Sequence, residues 1–425
     1  MSVETDNPMV EGFTVGSPWP VRALNRIGRP LAAAGMAPSL HAGRLRSAAC
    51  VSAGTDWVAD TYLDEALEVL TESLFTEAEL SYLGQVMVQK RLVRMLATRL
   101  RMRHLLEVKP EITERTLAPP VVIVGLQRTG TTLLHRLLAA DPATRSMASW
   151  EGARPLPDDE QAAHAPDSRR AVAAREERAL RYLQPQFYAI HSLESTAPEE
   201  DVLLLDYSLH SQMAEVMFHV PSYARWLLQQ DMRPAYELHR VMLQILDWQH
   251  CRERWVLKSP AHLEHLDVLL EALPGAVVVW THRDPAQTTA SSSSMLAHYQ
   301  SLFSDRVDHR RLARHWLDKN STMIDRAMQF RRTSKGIFVD VHYHELMADP
   351  MSVIGRIYAA QGRPLSDAAA ATMTDTLAAS PQNLHGEHRY SLRQFGLNVA
   401  DVDNCYSGYI EHFSIDRERG GVREL

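Results

Sequence analysis

The 425 residues are 45% hydrophobic, which supports a globular core, and their formal net charge of −7 excludes a general positive field for nucleic acid. The three cysteines, Cys50, Cys251 and Cys405, are far apart and have neither metal-site nor disulfide-type spacing. We therefore expect reduced thiols in a cytoplasmic protein. The first ten residues lack the basic and apolar parts of a secretory signal, and we expect none.

Residues 1–115 show no strand pattern. From Leu63 to Leu106 the apolar residues recur at helical spacing, so we predict a helical N-terminal region. The stretch Trp19–Met36 is basic and moderately amphipathic. Packing against the rest of the protein is the preferred interpretation of this stretch, and weak contact with a membrane surface is the alternative.

A different pattern begins at Pro119. Val121–Val124 is an unbroken run of β-branched residues, which is typical of a buried parallel strand. Helical segments separate this run from three further predicted strands, at Trp255–Leu257, Ala276–Thr281 and Ile337–Val341. The pattern predicts an α/β domain over residues 116–425 with a parallel sheet flanked by helices, as in P-loop nucleotide kinases. Residues 155–250 are predicted to form a helical insertion that caps the acceptor site.

A glycine-bounded loop follows the first predicted strand. Gly125 and Gly130 enclose four residues, which is the spacing of the Walker A loop, and a helix is predicted from Thr131 to Ala140. Backbone N–H groups and the helix dipole in such a loop bind phosphate. Thr131 stands where the Walker lysine would be, and Arg128 supplies a cation from inside the loop instead.

The segment VVIVGLQRTGTTLLHRLLAADP resembles the 5′-phosphosulfate loop of sulfotransferases that use 3′-phosphoadenosine 5′-phosphosulfate (PAPS). It is most similar to the bacterial branch that also resembles tyrosylprotein sulfotransferases. The resemblance implies that PAPS is the co-substrate. It also implies that the following loop residues bind the 5′-phosphosulfate: Gln127, Arg128, Thr129, Gly130, Thr131 and Thr132.

A second anion site is indicated by Arg283 and Ser291, which stand eight residues apart in VVVWTHRDPAQTTASS. Asp284 and Pro285 form a helix-start signal that places Ser291 about two turns into the helix. The resembled family uses an arginine and a serine at this spacing to bind the 3′-phosphate of PAPS. ATP has no 3′-phosphate, so the pair argues against ATP as the ligand.

The resemblance also implies two catalytic cations, Arg128 and Lys258. Lys258 ends an apolar strand pattern, and it is one of only five lysines in the chain. Ligands of open parallel sheets bind at the carboxyl ends of the strands. The family's lysine at this position contacts the bridging oxygen of the donor.

The general base is left between two candidates. Glu151, after the P-loop helix, corresponds regionally to the glutamate base of the tyrosylprotein branch, with two extra residues before it. His262 lies four residues after Lys258, whereas small-molecule sulfotransferases have a histidine two residues after their lysine. Glu199 and Glu200 are assigned either to the acceptor side or to a helix N-terminus.

The sequence therefore predicts transfer of a sulfuryl group from PAPS to a hydroxyl of a small-molecule, lipid or glycan acceptor. A P-loop kinase or nucleotide triphosphatase is the alternative. We expect no metal, because no cluster of Asp and Glu residues suggests a magnesium site at a phosphate. The sequence does not indicate an oligomeric state.

Overall fold

The computed structural model describes residues 18–34, 36–157, 167–183, 194–379 and 391–418. Its N-terminal region is helical, as predicted, because leucines at helical spacing bury one face of each long helix. Asp60 and Ser81 cap the two longest helices by accepting hydrogen bonds from backbone N–H groups. The four helices are α1 (Trp19–Ala33), α2 (Ala42–Ala53), α3 (Thr61–Thr76) and α4 (Tyr82–Val108).

Helix α1 packs on α4 and also exposes apolar side chains. Asn25 donates to Asp305 and accepts from the backbone N–H of Leu83, so the helix is tied to the protein on one side. Trp19 and Ile27 are 73% and 65% exposed. Contact of these exposed residues with a membrane surface stays a prediction. No described helix has both the length and the apolarity needed to cross a bilayer.

A five-stranded parallel sheet forms the centre of the protein, in the order β2–β3–β1–β4–β5. Alternate residues of β1 face opposite sides and both sides are buried, because helices cover both faces of the sheet. The predicted α/β class is thereby confirmed. The strands are β1 (Val121–Val124), β2 (Thr144–Arg145), β3 (Arg254–Lys258), β4 (Val277–His282) and β5 (Ile337–His342).

Short helices dominate the segment between β1 and β3. The region predicted as a helical insertion contains several of them, together with a 17-residue helix at Arg233–Gln249 that packs into the core. These helices are α5 (Thr131–Ala139), α6 (Ser149–Ala153), α7 (Ser168–Leu183), α8 (Val202–Leu205), α9 (Met213–Met217), α10 (Pro221–Leu227) and α11 (Arg233–Gln249).

The helices after β3 complete the two layers around the sheet. Asp284 accepts from the N–H of Ala286 and so caps α13, which begins at the predicted residue, Pro285. The helices are α12 (Leu266–Ala272), α13 (Pro285–Gln300), α14 (His309–Arg331), α15 (Tyr343–Ala348), α16 (Pro350–Ala360), α17 (Asp367–Ala379) and α18 (Val399–His412). The described residues also contain short 3₁₀ turns, at Pro110–Ile112, Asp206–Ser208, Pro260–His265 and Leu392–Phe395.

Candidate active site

The carboxyl ends of three neighbouring strands bring the predicted site together. Strand β1 pairs with β3 on one side and with β4 on the other, all parallel. The glycine loop follows β1, Lys258 ends β3, and Arg283 follows β4. Because parallel strands end at the same edge of a sheet, segments more than 100 residues apart in sequence meet here.

The loop after β1 has the backbone geometry of a phosphate cradle. Gly125 and Gly130 have φ angles of +142° and +90°, and the non-glycine Arg128 has φ +71°. A Cβ atom on Gly125 would lie 2.2 Å from the Thr281 hydroxyl, so glycine is required there. Thr129 is fully buried, and its hydroxyl donates to the Leu126 carbonyl at 2.7 Å. The Thr129 side chain therefore braces the loop, which leaves its backbone to face a ligand.

A cavity of about 550 Å³ opens in front of this loop. Its walls combine the cationic side chains of Arg128, Arg136 and Arg283 with the start of helix α5, and so favour an anionic ligand. We name it the donor cavity. The predicted site residues that line it are Gln127, Arg128, Gly130, Thr131, Thr132 and Arg283.

Arg283 is held by contacts on three sides. Its Nη1 donates to the carbonyl of Arg128 at 2.9 Å, and its guanidinium lies 3.8 Å from the ring centroid of Tyr343. Its Nε and Nη2 donate to the carboxylate of Glu418 at 2.7 and 2.9 Å. Ser291 is buried on α13, 8% exposed, and a phosphate shared by Ser291 and Arg283 stays a prediction.

Lys258 and Glu200 form an ion pair beside the donor cavity. The Nζ atom of Lys258 lies 2.6 Å from Oε1 of Glu200, and the two side chains are 4% and 27% exposed. A second cavity, of about 320 Å³, shares Glu200, Gln127 and Met295 with the donor cavity. We name it the acceptor cavity. Glu200 therefore stands at the junction of two cavities, next to a buried cation.

Glu151 has a different environment from the one a base needs. Both of its oxygens accept hydrogen bonds from Arg145, at 2.5 and 3.0 Å, and one also accepts from the backbone N–H of Ala148 at 2.9 Å. The residue is 3% exposed. Both oxygens of Glu151 are thus engaged in a buried structural ion pair, which argues against a base role, and that role stays a prediction.

His262, the other predicted base, is also fully engaged and fully buried. Its Nε2 lies 2.8 Å from Oδ2 of Asp201, and its Nδ1 lies 3.0 Å from the hydroxyl of Tyr236. Because neither ring nitrogen is free to accept a proton from an acceptor, the arrangement argues against that role.

Asp201, His239 and His262 form a buried cluster that the sequence analysis missed. Oδ2 of Asp201 lies 2.8 Å from Nε2 of each histidine, and Oδ1 accepts from the backbone N–H of Lys258 at 3.0 Å. The three side chains could hold a metal ion, since their donor atoms lie within 4.8 Å of one another. The 2.8 Å separations are those of hydrogen bonds. Three successive acidic residues at 199–201 were the only sequence signal.

The chain is similar to known sulfotransferases in sequence and in fold. The model of the sulfotransferase family matches residues 119–367, which is more than half of the chain. The sulfotransferase STF1 of Mycobacterium tuberculosis is 34% identical, with a TM-score of 0.75 over 86% of this chain and 98% of STF1. The sulfotransferase STF9 of Mycobacterium avium is 26% identical, with a TM-score of 0.81 over 91% of this chain and 99% of STF9. No curated protein matched the chain significantly. The chain belongs to the sulfotransferase family.

Proposed function

We propose that the protein transfers a sulfuryl group from PAPS to a hydroxyl of an apolar acceptor, with Glu200 as the general base. The observation that carries this proposal is the Lys258–Glu200 ion pair at the junction of the two cavities. A sulfuryl transfer needs a cation near the leaving oxygen and a proton acceptor near the attacking oxygen. These two groups are adjacent here.

The donor cavity supplies the expected partners of PAPS. The backbone N–H groups of the loop 125–131 and the N-terminus of α5 suit the 5′-phosphosulfate, with Arg128 as an added cation. Arg283 is the proposed partner of the 3′-phosphate. It contacts the carbonyl of Arg128, so the two anion sites are next to each other.

In the proposed reaction, the acceptor oxygen attacks the sulfur while the bond from sulfur to the 5′-phosphate oxygen breaks. The hydroxyl proton moves to Glu200, and the negative charge on the leaving oxygen is stabilised by Lys258 and Arg128. The products are the sulfated acceptor and 3′-phosphoadenosine 5′-phosphate. Glu200 then returns its proton to solvent.

Glu200 suits the base role better than the two residues that the sequence suggested. Its ion pair with Lys258 uses Oε1, and its carboxylate lines both cavities. Glu151 is 3% exposed and His262 is 0% exposed, and both oxygens of Glu151 and both ring nitrogens of His262 already have hydrogen-bond partners. An acceptor hydroxyl can reach Glu200 without breaking a buried structural contact.

The acceptor cavity favours a molecule with an apolar body. A volume of about 320 Å³ suits a small molecule or the end of a lipid chain. Charged side chains also line the cavity, among them Arg91, Arg94 and Glu199, so it can hold a polar group of the same molecule. Its apolar and aromatic walls include Met95, Val202, Leu203, Met213, Val216, Leu296, Tyr207 and Tyr299.

The test is calorimetric titration of the wild type and Arg283→Ala with 3′-phosphoadenosine 5′-phosphate, ADP and ATP. We expect the 3′-phosphorylated nucleotide to bind much more tightly than the other two, and the substitution to remove most of that preference. Equal or tighter binding of ATP by the wild type would contradict the proposal and favour a kinase or triphosphatase.

A further inference from the structure

We infer that Asp201 is a positioning residue: its buried carboxylate sets the position of Lys258 relative to Glu200 through hydrogen bonds to the Lys258 backbone and to two histidines. The inference rests on the proposed function, because it assigns Lys258 and Glu200 to the reaction. Asp201 itself is 0% exposed and lines neither the donor cavity nor the acceptor cavity.

Both members of the ion pair are connected to Asp201. Glu200 precedes it in the chain, so fixing Asp201 fixes the backbone that carries the Glu200 carboxylate. Lys258 donates its backbone N–H to Oδ1 of Asp201 at 3.0 Å, which fixes the end of strand β3. The 2.6 Å contact between Lys258 Nζ and Glu200 is therefore made between two segments joined at one carboxylate.

The second oxygen of Asp201 is held by two histidines from different elements. His239 lies on α11, and His262 lies in the 3₁₀ turn after β3. Each places its Nε2 atom 2.8 Å from Oδ2. A carboxylate oxygen only accepts hydrogen bonds, so both Nε2 atoms must carry hydrogen. The Asp201 carboxylate thus connects its own segment with helix α11 and with the end of strand β3.

The hydroxyl of Tyr236 contacts Nδ1, the ring nitrogen of His262 that does not face Asp201. The two atoms are 3.0 Å apart, and burial raises the pKa of Tyr236 well above its usual value. The hydroxyl therefore keeps its proton and can donate a hydrogen bond to Nδ1 while Nε2 carries the hydrogen that Asp201 accepts. Burial opposes ionisation of Asp201, but the histidines outweigh it and hold the pKa of Asp201 well below its usual value.

The physical consequence is a fixed pair of reacting groups. A misplacement of about 1 Å in a catalytic group can cost on the order of 100-fold in rate. Asp201→Asn keeps the shape of the side chain but replaces one acceptor oxygen with a donor NH₂ group. That group meets the N–H donors of the two histidines or of Lys258, so the connection must rearrange.

The chain offers a direct probe of this position, since it has only five lysines. Lys258 and Lys319 are buried and ion-paired, with side chains 4% and 6% exposed. We propose NMR of the side-chain ammonium groups in ¹⁵N-lysine-labelled protein, with Lys258 assigned by Lys258→Arg. In Asp201→Asn we expect the Lys258 signal to shift or disappear, while the Lys319 signal stays unchanged as an internal control.

Turnover gives the second readout, measured as 3′-phosphoadenosine 5′-phosphate released from PAPS with 1-octanol or 2-naphthol as probe acceptor. Asp201→Asn should lower kcat by about 100-fold and leave the KM for PAPS nearly unchanged. Tyr236→Phe should shift the Lys258 signal less and in the same direction, and it covers the case in which Asp201→Asn does not fold. Asp141→Asn is the matched control, because buried Asp141 pairs with Arg254 at the other end of the same strand.

A Lys258 signal that stays unchanged in folded Asp201→Asn would overturn the inference, whatever the turnover shows, and so would an unchanged signal in Tyr236→Phe if Asp201→Asn does not fold. Stoichiometric zinc in the purified wild type would also overturn it, because the cluster would then be a metal site. Failure of the wild type to bind 3′-phosphoadenosine 5′-phosphate would instead contradict the proposed function. The ammonium signals would still report on the position of Lys258.

Discussion

The carboxylate of Glu418 accepts two hydrogen bonds from Arg283, the residue proposed to bind the 3′-phosphate of the donor. The backbone N–H of Glu418 also donates to the carboxylate of Asp284 at 3.0 Å, so both the backbone and the side chain of Glu418 are held by hydrogen bonds. A 3′-phosphate bound to Arg283 would approach the guanidinium that Glu418 now neutralises. Glu418 and the donor nucleotide are therefore expected to compete.

Removal of the Glu418 charge should raise affinity for the nucleotide. The Arg283 and Glu418 side chains are 20% and 35% exposed, and a partly exposed ion pair is worth about 0.2–1 kcal/mol. We expect Glu418→Gln to bind 3′-phosphoadenosine 5′-phosphate up to about fivefold more tightly in calorimetry. Asp403→Asn, which releases Arg417 nearby, is the control and should change affinity little. Weaker binding by Glu418→Gln would show that Glu418 orients Arg283 for the ligand.

Neutralising Glu200 should abolish transfer and spare the donor site. General-base catalysis contributes about 10²–10⁴-fold, so Glu200→Gln should lower kcat by at least about 100-fold. Binding of 3′-phosphoadenosine 5′-phosphate should change by less than about threefold, because the proposed partners of its phosphates are the glycine loop, Arg128 and Arg283. Glu253→Gln, at an exposed pair with Arg363, is the matched control. A Glu200→Gln enzyme with near-normal kcat would exclude this base.

Substitution of Glu151 should affect stability more than chemistry. Breaking a buried ion pair from one side costs about 3–5 kcal/mol, and Glu151→Gln would leave Arg145, which is 8% exposed, without its counter-charge. Urea unfolding should show the loss, while kcat per folded molecule at a permissive temperature stays near the wild-type value. A stable variant with a strongly reduced kcat would restore Glu151 as the base.

Acid should destabilise the fold through His135. Burial, followed by the positive charge of Lys258, lowers the pKa of His135 from 6.5 to about 3. Because the unfolded chain binds the extra proton between about pH 6.5 and pH 3, stability is lost as the pH falls through this window. At pH 5 the cost is about 2 kcal/mol.

His135→Leu should therefore flatten the dependence of unfolding free energy on pH between 7 and 5. The exposed His104 provides the control, because His104→Leu removes a histidine that stays in solvent. An equal slope in the wild type and in His135→Leu would show that His135 does not carry this dependence.

Local pattern in the sequence was sufficient for four of the five strands and for the glycine-bounded loop, whereas the two-residue strand β2 was not predicted. The β-branched run at Val121–Val124, the glycines at 125 and 130, and the helix start at Asp284–Pro285 each depend on neighbouring residues alone. The ends of the predicted strands differ from the observed ones by at most one residue, because the partner strand decides where pairing stops. Lys258 and Arg283 could be located because a strand end fixes a place in a parallel sheet.

Local sequence pattern could not choose between the candidate bases, because only the tertiary structure determines which carboxylate is accessible from a cavity. Glu151 and Glu200 both follow short motifs near the site. Arg145 donates hydrogen bonds to both oxygens of Glu151, whereas Glu200 lines both cavities. The partner of each acid comes from its three-dimensional surroundings, which residue spacing does not specify. The links between Asp201, His239 and Lys258 likewise join residues that are 38 and 57 positions apart, and only folding brings them together.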